Sequence, residues 1–477
     1  MSVGENSSLF RLNFEIVSQA ILLVLLFCFS SSAFLYFDIG RGWHDQQRVL
    51  QLVLFVLISP LVVFSRQLEV RLELAVVLVF VFLMGGVSSL FAEFPVWASR
   101  ELALYVGMFF LVIFVGGVVE SVQRAILLLM VFVGVVLSII FLFNYALFVY
   151  FGLWVLGSSE LMHGFSNGRF LGQFQTMLLP VLSAFALRFF SSEESHSRKL
   201  FILIFLVLVV QCCIAFYLGG RGVWLGLVVA SIVVSVVDFR SIRLVGVLFG
   251  GIGLGFIAFL AMFKLIPVLL GVPVSLISGI RGGLSLREVI WEQALSLGLE
   301  SPWLGVGPMH FSAHHNAVAA HPHQMVLQWF AEIGAPATIA LIGLIVWGGI
   351  QGTIKLRRSV AFDPVGVALW ISLTGTLILA QVDGVFVMPY TETWLAVLIG
   401  LLLARWSRSV GVSRVQRTCC ALLAVFLVLV LGRVLVFDVA ELKLMESSYH
   451  ESTPRYWTPR FWLQGWIPMG EKVDYID

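Results

Sequence analysis

The chain has 477 residues, of which 60% are hydrophobic and 12% charged, and its mean hydropathy is +1.01. A water-soluble domain carries roughly 45–50% apolar and about 25% charged residues, so this excess excludes a soluble globular protein and calls for lipid as solvent. The net charge of +2 is too small to suggest a nucleic-acid partner.

A helix needs about 20 apolar residues to cross the hydrocarbon core. Thirteen stretches qualify as candidate spans, near 17–37, 49–65, 73–92, 101–119, 125–150, 171–187, 200–218, 222–237, 244–265, 336–352, 365–382, 390–404 and 418–437. The first is preceded by Glu5, Arg11 and Glu15 and is longer than a signal-peptide core, so it reads as a membrane anchor. The division at Gly219-Gly220-Arg221-Gly222 is the shortest break. The five cysteines lie inside apolar runs and form neither a disulfide framework nor a metal spacing. With the N-terminus in the cytoplasm, sixteen lysines and arginines fall on that side and five in the short opposite loops, which obeys the positive-inside bias. This topology puts residues 266–335 and the tail from 438 on the outer side. The expected fold is an all-α polytopic membrane protein with about 12–13 transmembrane helices. It divides into a bundle (1–265), a large outer loop with short helices (266–335), further spans (336–437) and an aromatic-rich tail (438–477).

Within the loop, Ser285-Leu286-Arg287-Glu288 has the form of a capping box and predicts a helix through Trp291 and Ala294 to about Gly298. Pro302 and the glycines of Trp303-Leu304-Gly305-Val306-Gly307-Pro308 force a turn. A second helix is expected to start near Pro322, which suits a first helical position, and to end at Gly334. The tail carries Tyr456-Trp457-Thr458-Pro459-Arg460-Phe461-Trp462 and Gly465-Trp466-Ile467. Aromatic residues mixed with arginine suit the membrane–water interface, so the plain expectation is an interfacial anchor.

Three outward arginines could carry chemistry. Arg221 lies between two apolar runs, where a guanidinium is costly unless it meets a polar cavity or a partner. Its glycine neighbours would let a bulky anion approach, and its planar fork suits a diphosphate; snorkelling to lipid headgroups is the alternative. Arg287 falls in the first turn of a predicted helix, where a cation is disfavoured and a bound anion would relieve it; a solvated charge is the alternative. Arg169 precedes Gln173 and Gln175 at the head of a span, where the amides need a neighbouring helix or a sugar. Five of the nine histidines, His310, His314, His315, His321 and His323, lie in one stretch. Their spacing matches no recognised metal site, and no metal or other cofactor is expected. His323, at a predicted helix start, is the better placed base for taking a proton from a hydroxyl. Phosphate-loop and dinucleotide motifs are absent, so nucleotide-driven chemistry is not expected.

The order of these pieces resembles the O-antigen ligase superfamily. The motifs that carry the likeness are Arg221-Gly222-Val223-Trp224-Leu225-Gly226, Arg287-Glu288-Val289-Ile290-Trp291, Pro302-Trp303-Leu304-Gly305-Val306-Gly307-Pro308, and His321-Pro322-His323-Gln324 leading through Leu327-Gln328 to Gly334. Gln324 stands where the family more often has Asn. The resemblance implies a metal-independent, inverting glycosyltransferase of the bacterial inner membrane with its active site facing the periplasm. Arg221 and Arg287, with Arg169 beside them, would hold the diphosphate of a polyprenyl-diphosphate-linked glycan donor. His323 would activate the acceptor hydroxyl, and His321, Gln324 and Gln173 would support the site. The superfamily includes lipid A-core ligases, repeat-unit polymerases and protein O-oligosaccharyltransferases. Residues 167–175 and the run Pro459–Gly465 look like a pilin-glycosylating branch, which favours an acceptor protein of pilin type over lipid A-core. From another class, a transporter of lipid-linked glycan would use the same arginines, but it would predict repeat symmetry between halves, and none is visible.

Overall fold

A computed structural model describes residues 3–64, 72–153, 161–190, 195–272, 286–406, 414–452 and 458–467. Every regular element among them is helical. In chain order these are α1 (Val3–Ser31), α2 (Trp43–Phe64), α3 (Leu72–Phe91), α4 (Pro95–Gly116), α5 (Glu120–Phe151), α6 (Gly168–Phe190), α7 (Ser195–Leu218), α8 (Arg221–Val237), α9 (Ile242–Leu260), α10 (Ile266–Leu269), α11 (Arg287–Glu300), α12 (Met325–Arg358), α13 (Pro364–Leu379), α14 (Pro389–Trp406), α15 (Arg414–Arg433) and α16 (Val439–Ser452). Short π turns carry α9 into α10 and α15 into α16. Among the described residues, ten helical stretches are long and apolar enough to cross a membrane, and α8 and α13 are shorter apolar helices beside them. Together with α14 they account for the thirteen predicted stretches.

The outside of the bundle is apolar. Leu83, Phe143, Ile232 and Leu422 are each more than half exposed, which is stable only where lipid replaces water. The axis is α6, whose residues from Phe170 to Leu187 are all buried. Lipid tails are as apolar as leucine, so helices in a bilayer associate through close packing and polar bonds rather than by hiding from water. Both devices are present. A Cβ on Gly226 of α8 would stand 2.5 Å from the Gly375 carbonyl oxygen of α13, so the two backbones meet at a glycine pair. Gln175 donates to the backbone and side-chain oxygens of Gln211, both at 2.9 Å. Gln211 in turn donates to the Gly134 carbonyl at 2.8 Å and to Ser138 Oγ at 3.0 Å. This relay ties α5, α6 and α7 together and gives the Gln175 Nε2 its partners in a neighbouring helix.

The loop differs from expectation at both helix starts. Ser285 lies outside the described residues, and the N-cap position of α11 belongs to Leu286, whose left-handed backbone (φ 58°) supplies no side-chain cap. The helix runs to Glu300, two residues beyond the expected end. The second helix starts at Met325 rather than Pro322. His323 has φ 54°, which breaks the helical path after the proline, and Gln324 becomes the cap. The expected stop at Gly334 is present as a non-helical kink (φ 76°), after which α12 continues to Arg358.

That kink exposes carbonyl groups, and the 302–307 turn satisfies them. Val306 N donates to Ala331 O at 2.8 Å and Gly307 N to Glu332 O at 3.1 Å, while Ala335 N donates to Pro302 O at 2.8 Å. A Cβ at Gly305 would meet the Glu332 carbonyl carbon at 2.4 Å, and one at Gly334 would meet Trp303 O at 2.4 Å. Glycine is needed at both positions because two backbones dock there and both φ values are positive.

Residues 458–467 overturn the interfacial reading of the tail, while Tyr456 and Trp457 lie outside the described residues. The last span does not stop near 437 but continues as helix to Ser452. Residues 458–467 then fold back into the bundle, and Phe461, Trp462 and Trp466 are at most 1% exposed. Their aromatic character serves a protein core because buried hydrogen-bond partners await the backbone that carries them.

Candidate active site

Because the helices alternate in direction, the starts of α6, α8, α12 and α14 and the end of α13 share one face of the bundle, with α11 beside them. Three of these helices begin with the predicted arginines. Arg169 is the second residue of α6, Arg221 the first of α8 and Arg287 the first of α11. A helix start already carries partial positive charge, so each arginine is placed against its own helix. The three also share one field. Burial lowers the pKa of Arg287; Asp383 offsets part of that, and the charges of Arg169 and Arg221 lower it further. This is a cationic cradle with Asp383 at its edge. Arg169 and Arg287 are half-buried and Arg221 is exposed, so the cradle is open to a ligand.

The histidine segment is shaped from α11. Gln293 donates to His314 O at 2.6 Å and accepts from Asn316 Nδ2 at 2.9 Å. The Asn316 carboxamide oxygen accepts from the amides of Val318 and Ala319 at 2.8 and 2.9 Å. Trp291 Nε1 donates to Pro322 O at 3.0 Å, which fixes the turn that presents His323. The rings of His321 and His323 meet edge to face with centroids 4.1 Å apart. His321 Nδ1 accepts from the His323 amide at 3.4 Å. Burial, followed by the charges of His323, Arg460 and His44, pushes the pKa of His321 well below its usual value, so this ring stays neutral. His321 also packs against Gly384, where a Cβ would come within 2.3 Å of the ring.

Asp383 completes the group. Its Oδ1 lies 3.5 Å from His323 Nδ1, an ion-pair distance, although His323 Nδ1 lacks hydrogen-bond alignment with any described residue. Burial pushes the Asp383 carboxyl up in pKa, but His323, the Gly384 amide and Gln173 outweigh it and hold the group below its usual value. The Gly384 amide donates to it at 2.8 Å. The turn is held in place from α12: Gln324 Nε2 donates to Gln381 Oε1 at 3.0 Å and Met325 N to Ala380 O at 3.0 Å. Gln324 Oε1 also caps α12 by accepting from Leu327 N at 2.5 Å. Gln173 accepts from Thr391 Oγ1 at 2.8 Å. Its buried Nε2 has no hydrogen-bond partner of good geometry among the described residues, which leaves an amide donor beside Asp383.

All seven predicted site residues therefore converge on this face. The other histidines do not join them. His310 is satisfied on both sides: Nδ1 bonds Pro308 O at 2.9 Å, and Nε2 accepts from the Phe94 amide at 2.9 Å. His315 packs its ring on Trp466. Among the described residues, no three His, Cys, Asp or Glu side chains converge as metal ligands would. Asp383 escaped sequence reasoning. The available signal was a single acid followed by glycine in the break between two apolar runs, Gln381-Val382-Asp383-Gly384. Chemically, the face offers an imidazole beside a carboxylate, next to three guanidinium groups.

Residues 202–342 match the family model described as O-antigen ligase. The match runs from α7 into α12 and contains Arg221, Arg287, His321 and His323, while Arg169, Gln173 and Asp383 lie outside it. No curated protein matches the chain.

Proposed function

On the premise that residues 202–342 make this chain a member of the O-antigen ligase superfamily of glycan transferases, we propose that it moves an oligosaccharide from a polyprenyl-diphosphate lipid to an acceptor hydroxyl. The observation that carries this reading is the convergence of Arg169, Arg221 and Arg287 with the His323–Asp383 pair. The excess of basic residues on the opposite loops supports a site on the periplasmic face of a bacterial inner membrane.

The donor diphosphate lies among the three guanidinium groups, and its negative charge relieves their repulsion from one another and from their own helix starts. The acceptor hydroxyl gives its proton to His323 as its oxygen attacks the anomeric carbon. The bond from that carbon to the diphosphate oxygen breaks on the opposite face, so the configuration inverts. The electron pair leaves with the polyprenyl diphosphate, and the arginines stabilise the charge gathering there. Asp383, close to Nδ1, stabilises the imidazolium that His323 becomes. The neutral His321 buttresses the ring, and the buried Gln173 amide supports Asp383 from behind. Charge is balanced without a metal: the proton ends on His323 and the negative charge on the departing lipid.

Asp383→Asn keeps the shape and removes the charge. It is expected to lower turnover by about 10²-fold or more, as loss of a base-orienting carboxylate does elsewhere. Initial rates of the inserted variant against wild type check this, and an unchanged rate removes Asp383 from the mechanism.

The acceptor we favour is a protein hydroxyl of pilin type, supported by the likeness of residues 167–175 and 459–465 to that branch. The deciding experiment places the purified chain in lipid vesicles with a polyprenyl-diphosphate glycan. Pilin-type protein is supplied in one reaction and lipid A-core in another. Sugar on the protein is the expected result. Sugar on the lipid makes the chain a ligase, and a lengthened donor with neither acceptor labelled makes it a polymerase.

A further inference from the structure

The buried return of residues 458–467 brings a guanidinium under the histidine turn. Arg460 is 1% exposed. Its Nη2 bonds both oxygens of Glu332, at 2.9 and 2.8 Å, and Glu101 Oε1 at 3.1 Å. Its Nη1 donates to the Ala320 carbonyl at 3.4 Å, one residue before His321. One side chain therefore joins α4, α12, the tail and the loop that presents His323.

The rest of the segment is fixed with equal density. The Arg460 carbonyl accepts from Arg48 Nη2 at 3.1 Å and from His44 Nε2 at 3.0 Å. Arg48 is itself bonded to Glu392, Gln51 and the carbonyls of Val387 and Phe461. The Leu463 amide donates to Asp45 at 2.8 Å, and the Ile467 amide donates to Ser312 O at 3.1 Å. Gly465 turns with φ 82° so closely that a Cβ would stand 3.1 Å from that of Ala320. Trp466 packs on both Ala320 and the His315 ring. Glu332 carries the connection onward: its carboxylate accepts from the Phe311 amide at 3.3 Å, and its carbonyl accepts from Gly307 N and Ser88 Oγ, each at 3.1 Å. The histidine turn is thus clamped on two sides, by α11 through Trp291 and by the tail through Arg460.

We infer that Arg460 is a positioning residue for glycan transfer, holding the 320–323 turn so that His323 stays in register with Asp383 and the arginine cradle. The inference rests on the proposed role of His323. Arg460 touches neither donor nor acceptor, so its removal acts on turnover and not on donor capture, which belongs to Arg169, Arg221 and Arg287. On this reading the site is incomplete until residues 458–467 have packed.

Arg460→Ala leaves two buried carboxylates, Glu101 and Glu332, facing each other, and is expected to lose the fold. Arg460→Lys is the informative variant, because it keeps the charge against Glu332 but cannot also span to Ala320. The full-length variant is compared with wild type in lipid vesicles, with an undecaprenyl-diphosphate oligosaccharide as donor and pilin-type protein as acceptor. Hydrogen exchange of the amides of 319–324 is measured on the same preparations without substrate. The expected result is a fall in kcat of at least tenfold, donor KM within twofold of wild type, and faster exchange confined to 319–324 and 458–467. Wild-type exchange at 319–324 overturns the inference, and so does a donor KM that rises as far as kcat falls. His323→Ala is run beside it. If that variant transfers normally, the function assigned to His323 fails, while the exchange result still decides whether Arg460 orders the turn.

Discussion

Replacement of His323 by alanine is expected to lower glycan transfer by roughly 10²- to 10⁴-fold, the range a general base contributes, while the protein inserts and folds as before. The expectation follows from place as well as residue type. His323 occupies a left-handed position (φ 54°) stabilised from outside itself, by Trp291 through Pro322 and by Gln324 through Gln381. Its side chain is 17% exposed and its Nδ1 makes no hydrogen bond to a described residue, so removing the imidazole strips no neighbour of a hydrogen bond. Asp383 retains the Gly384 amide. His310→Ala would be a poor comparison, because it strips the Phe94 amide and the Pro308 carbonyl of their shared partner. The measurement is the initial rate in vesicles at matched insertion, and a wild-type rate from His323→Ala would end the base assignment.

The second large effect concerns the cradle. Arg287→Ala and Arg221→Ala are each expected to raise donor KM by about 10- to 100-fold, the worth of a charge-assisted hydrogen bond of about 1.5–3 kcal/mol. Acceptor KM is expected to stay within threefold. The cradle also bears on stability. Without donor, Arg287 at the start of its own helix is opposed by burial and by Arg169 and Arg221 and favoured by Asp383, so these contributions offset one another and its removal is expected to cost the empty protein little thermal stability. With donor bound, the wild type gains stability through ligand linkage, and each variant gains less. Melting temperatures with and without the lipid-linked donor test this. Equal donor stabilisation in wild type and variants would take the diphosphate away from these arginines.

Several features of the site were legible because they are local. The glycines at 305 and 307 announce a turn and Gly334 a helix end, and each has a positive φ. The apolar runs mark the helices, because no other element satisfies its own backbone in lipid. Arg221 and Arg287 stand out because a guanidinium at a helix start beside hydrocarbon needs a reason. Boundaries set by non-local partners were harder. Pro322 suggested a helix start, yet the bond from Met325 N to Ala380 O and the Gln324–Gln381 pair hold the chain off its helical path until 325. Asp383 was passed over because its meaning depends on His323, sixty residues earlier, and nothing in its own neighbourhood reports that distance.

The tail is the sharpest contrast. Tyr, Trp and Arg in one segment have the same composition whether they lie on a bilayer or fill a protein core. Only the carboxylates of Glu101 and Glu332, waiting in α4 and α12, decide for the core. By itself, then, the sequence determined that this protein lives in lipid, that it is helical, and that its arginines and histidines of interest share one loop-bearing face. Hydropathy and turn chemistry are short-range and act before the chain packs. The tertiary structure decided which carboxylate faces His323, that three helix starts pool their charge, and that residues 458–467 brace the histidine turn. Those outcomes depend on electrostatics and hydrogen bonds across hundreds of residues, and they exist only once the helices have met.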